Sequence, residues 1–102
     1  MDIEHIKQRC RDGLIAMSLH VEKRMIDRQI TRKEIVEVIL QGEIIEEYPN
    51  DWPHPSCLVF GCTVNGRYLH VVVAIEQLLL RLVTVYEPDP EIFPDMKHRR
   101  KE

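Results

Sequence analysis

The sequence predicts an α+β domain in which two to three N-terminal helices pack on one face of a roughly four-stranded antiparallel sheet. Apolar residues follow a helical period through residues 1–41, whereas strand-like apolar runs separated by turn residues fill residues 43–86. A run of helices followed by a run of strands is typical of the α+β class. The length of 102 residues suits one domain, expected over residues 1–95, with a basic tail over residues 96–102.

The first helix and the segment after it are short. Ile3, Ile6 and Cys10 recur at helical spacing, and Gly13 is placed to end the helix. Residues 14–17 are apolar throughout, and their periodicity fits a linker as well as it fits a strand.

Two further helices have recognisable boundaries. Ser18 is an N-cap residue, so a helix is predicted from there to about Arg28. Thr31 and Glu34 form a capping box that begins the next helix, and Gly42 is its expected left-handed stop. The buried stripe of this third helix is predicted to comprise Ile35, Val38 and Ile39.

The second half of the chain has the composition of strands and turns. Strands are predicted over residues 43–48, 56–64, 67–75 and 78–86. A loop with three prolines, residues 49–55, joins the first two strands. Residues 87–94 are expected to leave the sheet and lead into the tail.

The predicted hairpin fixes which side chains share a face. A two-residue turn at Asn65-Gly66 would pair Val64 with Arg67 and Phe60 with Val71. The predicted core face, packed on the helices, then holds Leu58, Phe60, Cys62, Leu69, Val71 and Val73. The opposite face holds Cys57, Val59, Gly61, Thr63, Tyr68, His70, Val72 and Ala74.

Charge is segregated along the chain although the net charge is only −3. Residues 1–33 hold eight Lys/Arg against five Asp/Glu, a net of +3. Residues 34–95 hold two against eleven, a net of −9, and residues 96–102 hold four against one, a net of +3. A polyanion would therefore dock on the first helices and the tail, unless these are only solvated surfaces. The acidic middle would repel nucleic acid or attract a basic partner.

The second predicted helix carries a basic stripe. His20, Arg24 and Arg28 are four residues apart, so they lie on one side of the helix. An imidazole beside guanidinium groups suits a phosphodiester, because one group moves a proton while the others bind anionic oxygens. The same spacing is also found on ordinary solvated helices.

The last predicted strand supplies hydroxyl groups. Thr84 and Tyr86 alternate onto one face, which is predicted to include Leu80 and Leu82. Both hydroxyls can donate hydrogen bonds to a phosphate, although Thr and Tyr are also good strand residues. An odd-numbered loop after residue 75 would place His70 with them, and an even-numbered loop would separate them.

The sequence predicts neither a metal ion nor a cofactor. The spacing of His54, Cys57, Cys62 and His70 matches no standard zinc site, and the predicted register places Cys62 and His70 on opposite faces. No phosphate-binding or dinucleotide-binding glycine motif is present. To act as a nucleophile, Cys57 would need a lowered pKa. No residue near it in sequence would lower that pKa, so a buried thiol is expected.

The remaining features concern compartment and surface. The three cysteines are an odd number and are expected to be reduced, the N-terminus has no signal-peptide core, and no apolar run is long enough for a membrane span. We therefore expect a cytoplasmic location. Trp52 lies in the proline-rich loop, where it could cap the edge of the core or stack on a base.

Three segments resemble a family of bacterial and archaeal proteins called DUF4258. They are HVEKRMIDRQITRKEIVEVILQGEIIEEYP from residue 20, LHVVVAI from residue 69 and VTVYEPDPEIF from residue 83. Family members often have an H-x3-R-M-x2-R-x-I helix and a Thr-x-Tyr-x-Pro close. The sequence departs at Gln29, where a helix-ending glycine is common.

The resemblance implies a small toxin similar to the RelE-like and barnase-like ribonucleases. It implies RNA, free or on the ribosome, as the substrate, and a small antitoxin with a CxxC zinc finger as the partner. It points to His20, Arg24, Thr84 and Tyr86 as catalytic residues. Cleavage would use the 2′-hydroxyl of RNA as nucleophile, without a metal.

Two other functions fit the same sequence. One is a non-catalytic module that uses the acidic strands or the basic tail to bind a protein or nucleic acid. The other takes the second and third helices as a helix-turn-helix, although Glu34 and Glu37 on the would-be recognition helix would face phosphate.

Overall fold

The computed structural model describes residues 1–101, which form three helices and one five-stranded sheet. In chain order these are α1 (Ile3–Arg11), β1 (Ile15–Met17), α2 (Leu19–Arg28), α3 (Arg32–Gln41), β2 (Glu43–Tyr48), β3 (Ser56–Cys62), β4 (Tyr68–Glu76) and β5 (Leu79–Tyr86). The strand order is β1-β5-β4-β3-β2, and all neighbours are antiparallel except β1 and β5. The predicted α+β class is confirmed.

The fifth strand is the segment for which the sequence left a linker and a strand open. Residues Ile15–Met17 run parallel to Leu80–Leu82 at the edge of the sheet. The segment is too short to show a strand period, so its assignment depends on the neighbouring β5.

Local capping signals fix the helices. The Ser18 hydroxyl accepts a hydrogen bond from the Val21 amide at 3.2 Å, and Thr31 and Glu34 form the predicted capping box. Gly13 follows α1 with φ of 71°, as expected of a helix-ending glycine. The prediction for Gly42 is wrong, because φ there is −87° and the backbone passes directly into β2.

The main core lies between the helices and one face of the sheet. Its helical contribution includes Ile6, Cys10, Val21, Met25, Ile35, Val38 and Ile39. Its strand contribution includes Cys57, Val59, Leu69, Val71, Val73, Leu80, Leu82 and Val85. We call this side of the sheet the helix face and the other side the outer face.

The predicted hairpin register is wrong by one residue. The turn holds three residues, 64–66, because Gly66 takes φ of 86° and its amide donates to the Thr63 carbonyl at 2.9 Å. Phe60 therefore pairs with His70, and Val59 pairs with Val71. A one-residue shift in register exchanges the faces of a whole strand.

The faces of β3 are consequently the reverse of those predicted. Cys57, Val59 and Gly61 lie on the helix face, whereas Leu58, Phe60 and Cys62 lie on the outer face. The predicted placement of β4 is correct. Gly61 fits beneath α3, since a Cβ there would lie 2.5 Å from the Val38 carbonyl oxygen.

A β-bulge in β5 places the hydroxyls of Thr84 and Tyr86 on a different face from the one predicted. Val72 pairs with Thr84 and Val73 pairs with Leu82, so Val83 is the extra residue. Leu80 and Leu82 lie on the helix face before the bulge, and Thr84 and Tyr86 lie on the outer face after it. The prediction that all four share a face is wrong.

The C-terminal segment packs on the outer face of the sheet. Phe93 is 2% exposed and lies in a second apolar cluster with Leu58 and Val72. Residues from the predicted basic tail continue this cover, because Lys97 pairs with Glu43 at 2.7 Å and Arg99 with Glu46 at 2.8 Å. The sheet is thus covered on both sides.

Candidate functional site

The basic stripe of α2 forms an open groove. Val21 and Met25 bury the opposite side of this helix in the core. The exposed side bears a groove of about 310 Å³ lined by His20, Lys23, Arg24 and Asp27. Within the described chain, Arg28 is the only residue of α2 whose side chain forms a hydrogen bond, so the groove residues can all contact an external ligand.

The Lys and Arg residues of the three helices form no ion pairs in the described chain. All eight Lys/Arg residues of 1–33 lie on α1, α2 and the start of α3, and across residues 1–101 none of them forms an ion pair. By contrast, Arg67, Arg81, Lys97 and Arg99 each pair with a carboxylate. Positive charge on the helices is therefore available to a polyanion.

Arg28 connects this helix to the end of β5. Its Nη1 donates to the Val85 carbonyl at 2.6 Å, at the part of β5 that extends beyond β1. Its charge also opposes the rise in the Tyr86 pKa that burial causes. Arg28 thus holds α2 against the strand, which accounts for its position in the stripe.

The outer face holds a second cluster around His70, which is completely buried. His70 Nε2 lies 2.6 Å from the Met96 carbonyl oxygen, so Nε2 carries the proton and donates. Nδ1 is then the acceptor and lies 3.4 Å from the Tyr86 hydroxyl. The imidazole also packs edge-on against the Phe93 ring, with the ring centroids 4.5 Å apart.

Burial controls the protonation of this cluster. Desolvation lowers the pKa of His70, and it raises the pKa of Tyr86. Tyr86 therefore lacks the lowered pKa that would make it a ready proton shuttle. Both groups are neutral near pH 7, with the Tyr86 hydroxyl against Nδ1 of His70 and the Met96 carbonyl against Nε2.

The structure divides the six predicted site residues into two sets. His70 and Tyr86 are in contact on the outer face, where Thr84 lies opposite Val72. His20, Arg24 and Arg28 lie on α2, which packs against the helix face. The loop after β4 holds two residues, 77 and 78, and an even-numbered loop is expected to separate His70 from Tyr86. The bulge at Val83 reverses this effect and brings the two side chains onto one face.

The cysteines are buried or half-buried free thiols. Burial raises the pKa of Cys57 to about 11, which makes it a poor nucleophile. The shifted register places Cys62 and His70 on the same face, which corrects the predicted separation. Within residues 1–101, no three His, Cys, Asp or Glu side chains gather as metal ligands.

The second and third helices do not present a recognition helix. Every residue of α3 from Glu34 to Leu40 is buried or half-buried. Glu34 accepts from Arg67, and Glu37 accepts from the Val64 amide. These two carboxylates therefore hold the hairpin rather than face outward.

Comparison with protein families identifies one match. The model of DUF4258, a domain of unknown function, matches residues 17–87. The chain belongs to the DUF4258 family. A search of curated proteins and a search of solved structures found no match. The matched DUF4258 region includes α2, α3 and β2 to β5, whereas α1 and the C-terminal segment lie outside it.

No helix within residues 1–101 is both long and apolar enough to cross a bilayer.

Proposed function

We propose that this DUF4258 protein is a metal-independent endoribonuclease that binds RNA along α2. The observation that carries the proposal is the groove in which the exposed His20 imidazole lies beside Lys23 and Arg24, with Asp27 as the one acidic residue of its lining. Phosphate groups provide most of the affinity in protein–nucleic acid complexes, and unpaired Lys and Arg are the groups that bind them. The groove thus offers binding and proton transfer at one place.

The chemistry assigned to the groove uses the RNA as its own nucleophile. His20 accepts the 2′-hydroxyl proton while the 2′-oxygen bonds to the adjacent phosphorus. Arg24 offsets the charge that develops on the phosphorane. As the bond from phosphorus to the 5′-oxygen breaks, the His20 imidazolium returns the proton to that oxygen. The products are a 2′,3′-cyclic phosphate and a 5′-hydroxyl end.

The proposal includes a role as the toxin of a toxin–antitoxin pair in the cytoplasm. Residues 34–95, with a net charge of −9, support a second surface for a basic protein partner. A small antitoxin with a CxxC zinc finger is the partner that the resemblance implies. Growth arrest on expression, relieved by co-expression of that antitoxin, would test this part.

One observation favours a non-catalytic binding module instead. Thr84 and Tyr86 lie on the outer face, on the other side of the sheet from the face on which the His20 helix packs, so the four suspected catalytic residues do not form one site. A module of this kind would bind RNA through the same basic surface without cutting it. Neither the wild type nor His20→Ala would then cut RNA.

The test is cleavage of an end-labelled RNA in EDTA, with and without ribosomes. We expect cleavage by the wild type and a fall in rate of roughly 10²–10⁴-fold in His20→Ala, the usual contribution of a general acid–base group. His5→Ala removes another exposed histidine from a helix and is the matched control. Folded wild-type protein that binds RNA but cuts none would support the binding module.

A further inference from the structure

The loop between β2 and β3 presents an aromatic side chain to solvent. Trp52, the one tryptophan of the chain, is 91% exposed, so the expectation that it caps the core edge is wrong. Three prolines restrict the loop, and the Ser56 hydroxyl at the start of β3 donates to the Asp51 carboxylate of the loop. An indole held out from a fixed loop offers a flat apolar surface to a ligand.

A pocket of about 240 Å³ lies beside this indole. Trp52 and His54 from the loop, Arg81 from β5 and Ser18 at the start of α2 contribute to its walls. The pocket thus combines a stacking surface with donors and acceptors from three elements. This combination is typical of sites that recognise unpaired bases in RNA.

The charges around the pocket favour an uncharged ring over a phosphate group. Arg81 donates through Nε to the Glu76 carboxylate at 2.6 Å, and His54 Nε2 lies 3.9 Å from the same carboxylate. Glu76 therefore offsets the charge of Arg81, and the Asp51 carboxylate adds negative charge. Within residues 1–101, the two terminal nitrogens of Arg81 have no partner, which leaves donors for the edge of a base.

We propose that Trp52 and Arg81 form a nucleobase subsite that holds one unpaired base of an RNA strand whose phosphates lie on α2. The link between the two places is Ser18, which lines the pocket and begins the helix that carries His20 and Arg24. The subsite rests on the proposed ribonuclease and names its substrate class as single-stranded RNA. Base stacking on aromatic side chains is tolerant of sequence, so the subsite positions the strand without selecting a sequence.

Fluorescence of the single tryptophan tests the subsite directly. The probe is a short 2′-O-methyl RNA, which lacks the hydroxyl nucleophile and stays intact, compared with an abasic strand of equal length. We expect the base-bearing strand to quench Trp52 fluorescence and the abasic strand to leave it unchanged. Quenching by both strands, or by neither although fluorescence anisotropy shows that a labelled copy of the RNA binds, would overturn the subsite.

Variants separate stacking from general binding. By anisotropy, Trp52→Ala should weaken binding of the base-bearing strand about tenfold, as expected for one lost stacking contact, and Trp52→Phe should restore much of it. Leu78→Ala removes an exposed apolar side chain from another loop and should bind like the wild type. Equal affinity in Trp52→Ala and the wild type would overturn the subsite.

The outcomes also distinguish this inference from the proposed function. Cleavage that depends on His20 without any quenching of Trp52 would leave the ribonuclease intact and remove only the subsite. Absence of both cleavage and binding would remove both.

Discussion

His20 and His70 occupy opposite surroundings within one small domain. The His20 side chain lies in an open groove of α2, whereas His70 is completely buried and contacts the Met96 carbonyl and the Tyr86 hydroxyl. A buried polar group must find its partners inside the protein, and these partners occupy the atoms that a substrate would use. The contrast favours the groove as the proposed ligand site and a structural role for the His70 cluster.

The two sides of the sheet also differ in whether their basic residues have carboxylate partners. The basic residues of the helices have no carboxylate partners in the described chain, whereas Lys97 and Arg99 of the C-terminal segment pair with Glu43 and Glu46. Ion pairs this exposed contribute little stability each, so burial of Phe93 is the main force that holds the segment.

The largest effect on stability is expected at Phe93. Phe93→Ala should lower the free energy of unfolding by about 3–5 kcal/mol, because it empties a position enclosed by Leu58 and Val72. Trp52→Ala removes a similar volume from the surface and should stay within about 0.5 kcal/mol of the wild type. Urea unfolding of the two variants measures the difference, and equal losses would show that the C-terminal segment is not packed on the sheet.

The pH dependence of stability should report His70. Burial lowers its pKa from the ordinary 6.5, so below about pH 6.5 the unfolded chain binds a proton that the folded chain does not. Stability should therefore fall as the pH falls, by up to about 1.4 kcal/mol per pH unit, until the folded pKa is reached.

His70→Gln is the reference for this titration, because it retains an amide donor for Met96 and cannot gain the proton. The difference in unfolding free energy between wild type and variant should shrink from pH 7 towards pH 5. A difference that is constant over this range would mean that His70 titrates alike in the folded and unfolded chains.

A substitution at the end of α2 should stabilise the protein by a smaller amount. Gln29 takes φ of 55° and ψ of 44°, a left-handed conformation that costs residues other than glycine about 1 kcal/mol. Gln29→Gly should raise the unfolding free energy by roughly 0.5–1 kcal/mol without loss of RNA cleavage. Gln41→Gly, in the right-handed last turn of α3, should have the opposite sign. Thermal melts of the two variants and the wild type would show whether each substitution raises or lowers the stability.

The smallest effect is expected in the salt dependence of RNA binding. Arg24→Gln should reduce the slope of log affinity against log salt by about 0.7, the value for one phosphate contact with a single strand. Lys97→Gln removes a cation that is paired with Glu43 on the outer face and should leave the slope unchanged. Equal slopes in wild type and Arg24→Gln would place the RNA elsewhere.

Parts of the fold that depend on neighbouring residues could be predicted from the sequence. Ser18, Thr31 and Glu34 mark helix starts by hydrogen bonds within one turn, so these starts can be predicted from the local sequence. The hairpin was located correctly at Asn65-Gly66, but its register depends on whether the loop has two or three residues, and both are compatible with this sequence.

The outer-face cluster could not be predicted because it depends on distant contacts. The bulge at Val83 has no sequence signature of its own, yet it determines that Tyr86 meets His70. The C-terminal segment has the composition of a loop, and its packing on the sheet depends on the contact of Phe93 with Leu58 and Val72. The exposure of Trp52 likewise depends on how the loop before β3 is anchored.

A paired comparison of His20→Ala and Tyr86→Phe tests the central claim most directly. For each variant, the rate of RNA cleavage in EDTA and the free energy of unfolding would be measured on the same preparation. We predict that His20→Ala keeps the wild-type stability and loses cleavage, whereas Tyr86→Phe retains cleavage. A folded Tyr86→Phe that no longer cuts RNA, beside an active His20→Ala, would contradict the account and move the catalytic site to the outer face.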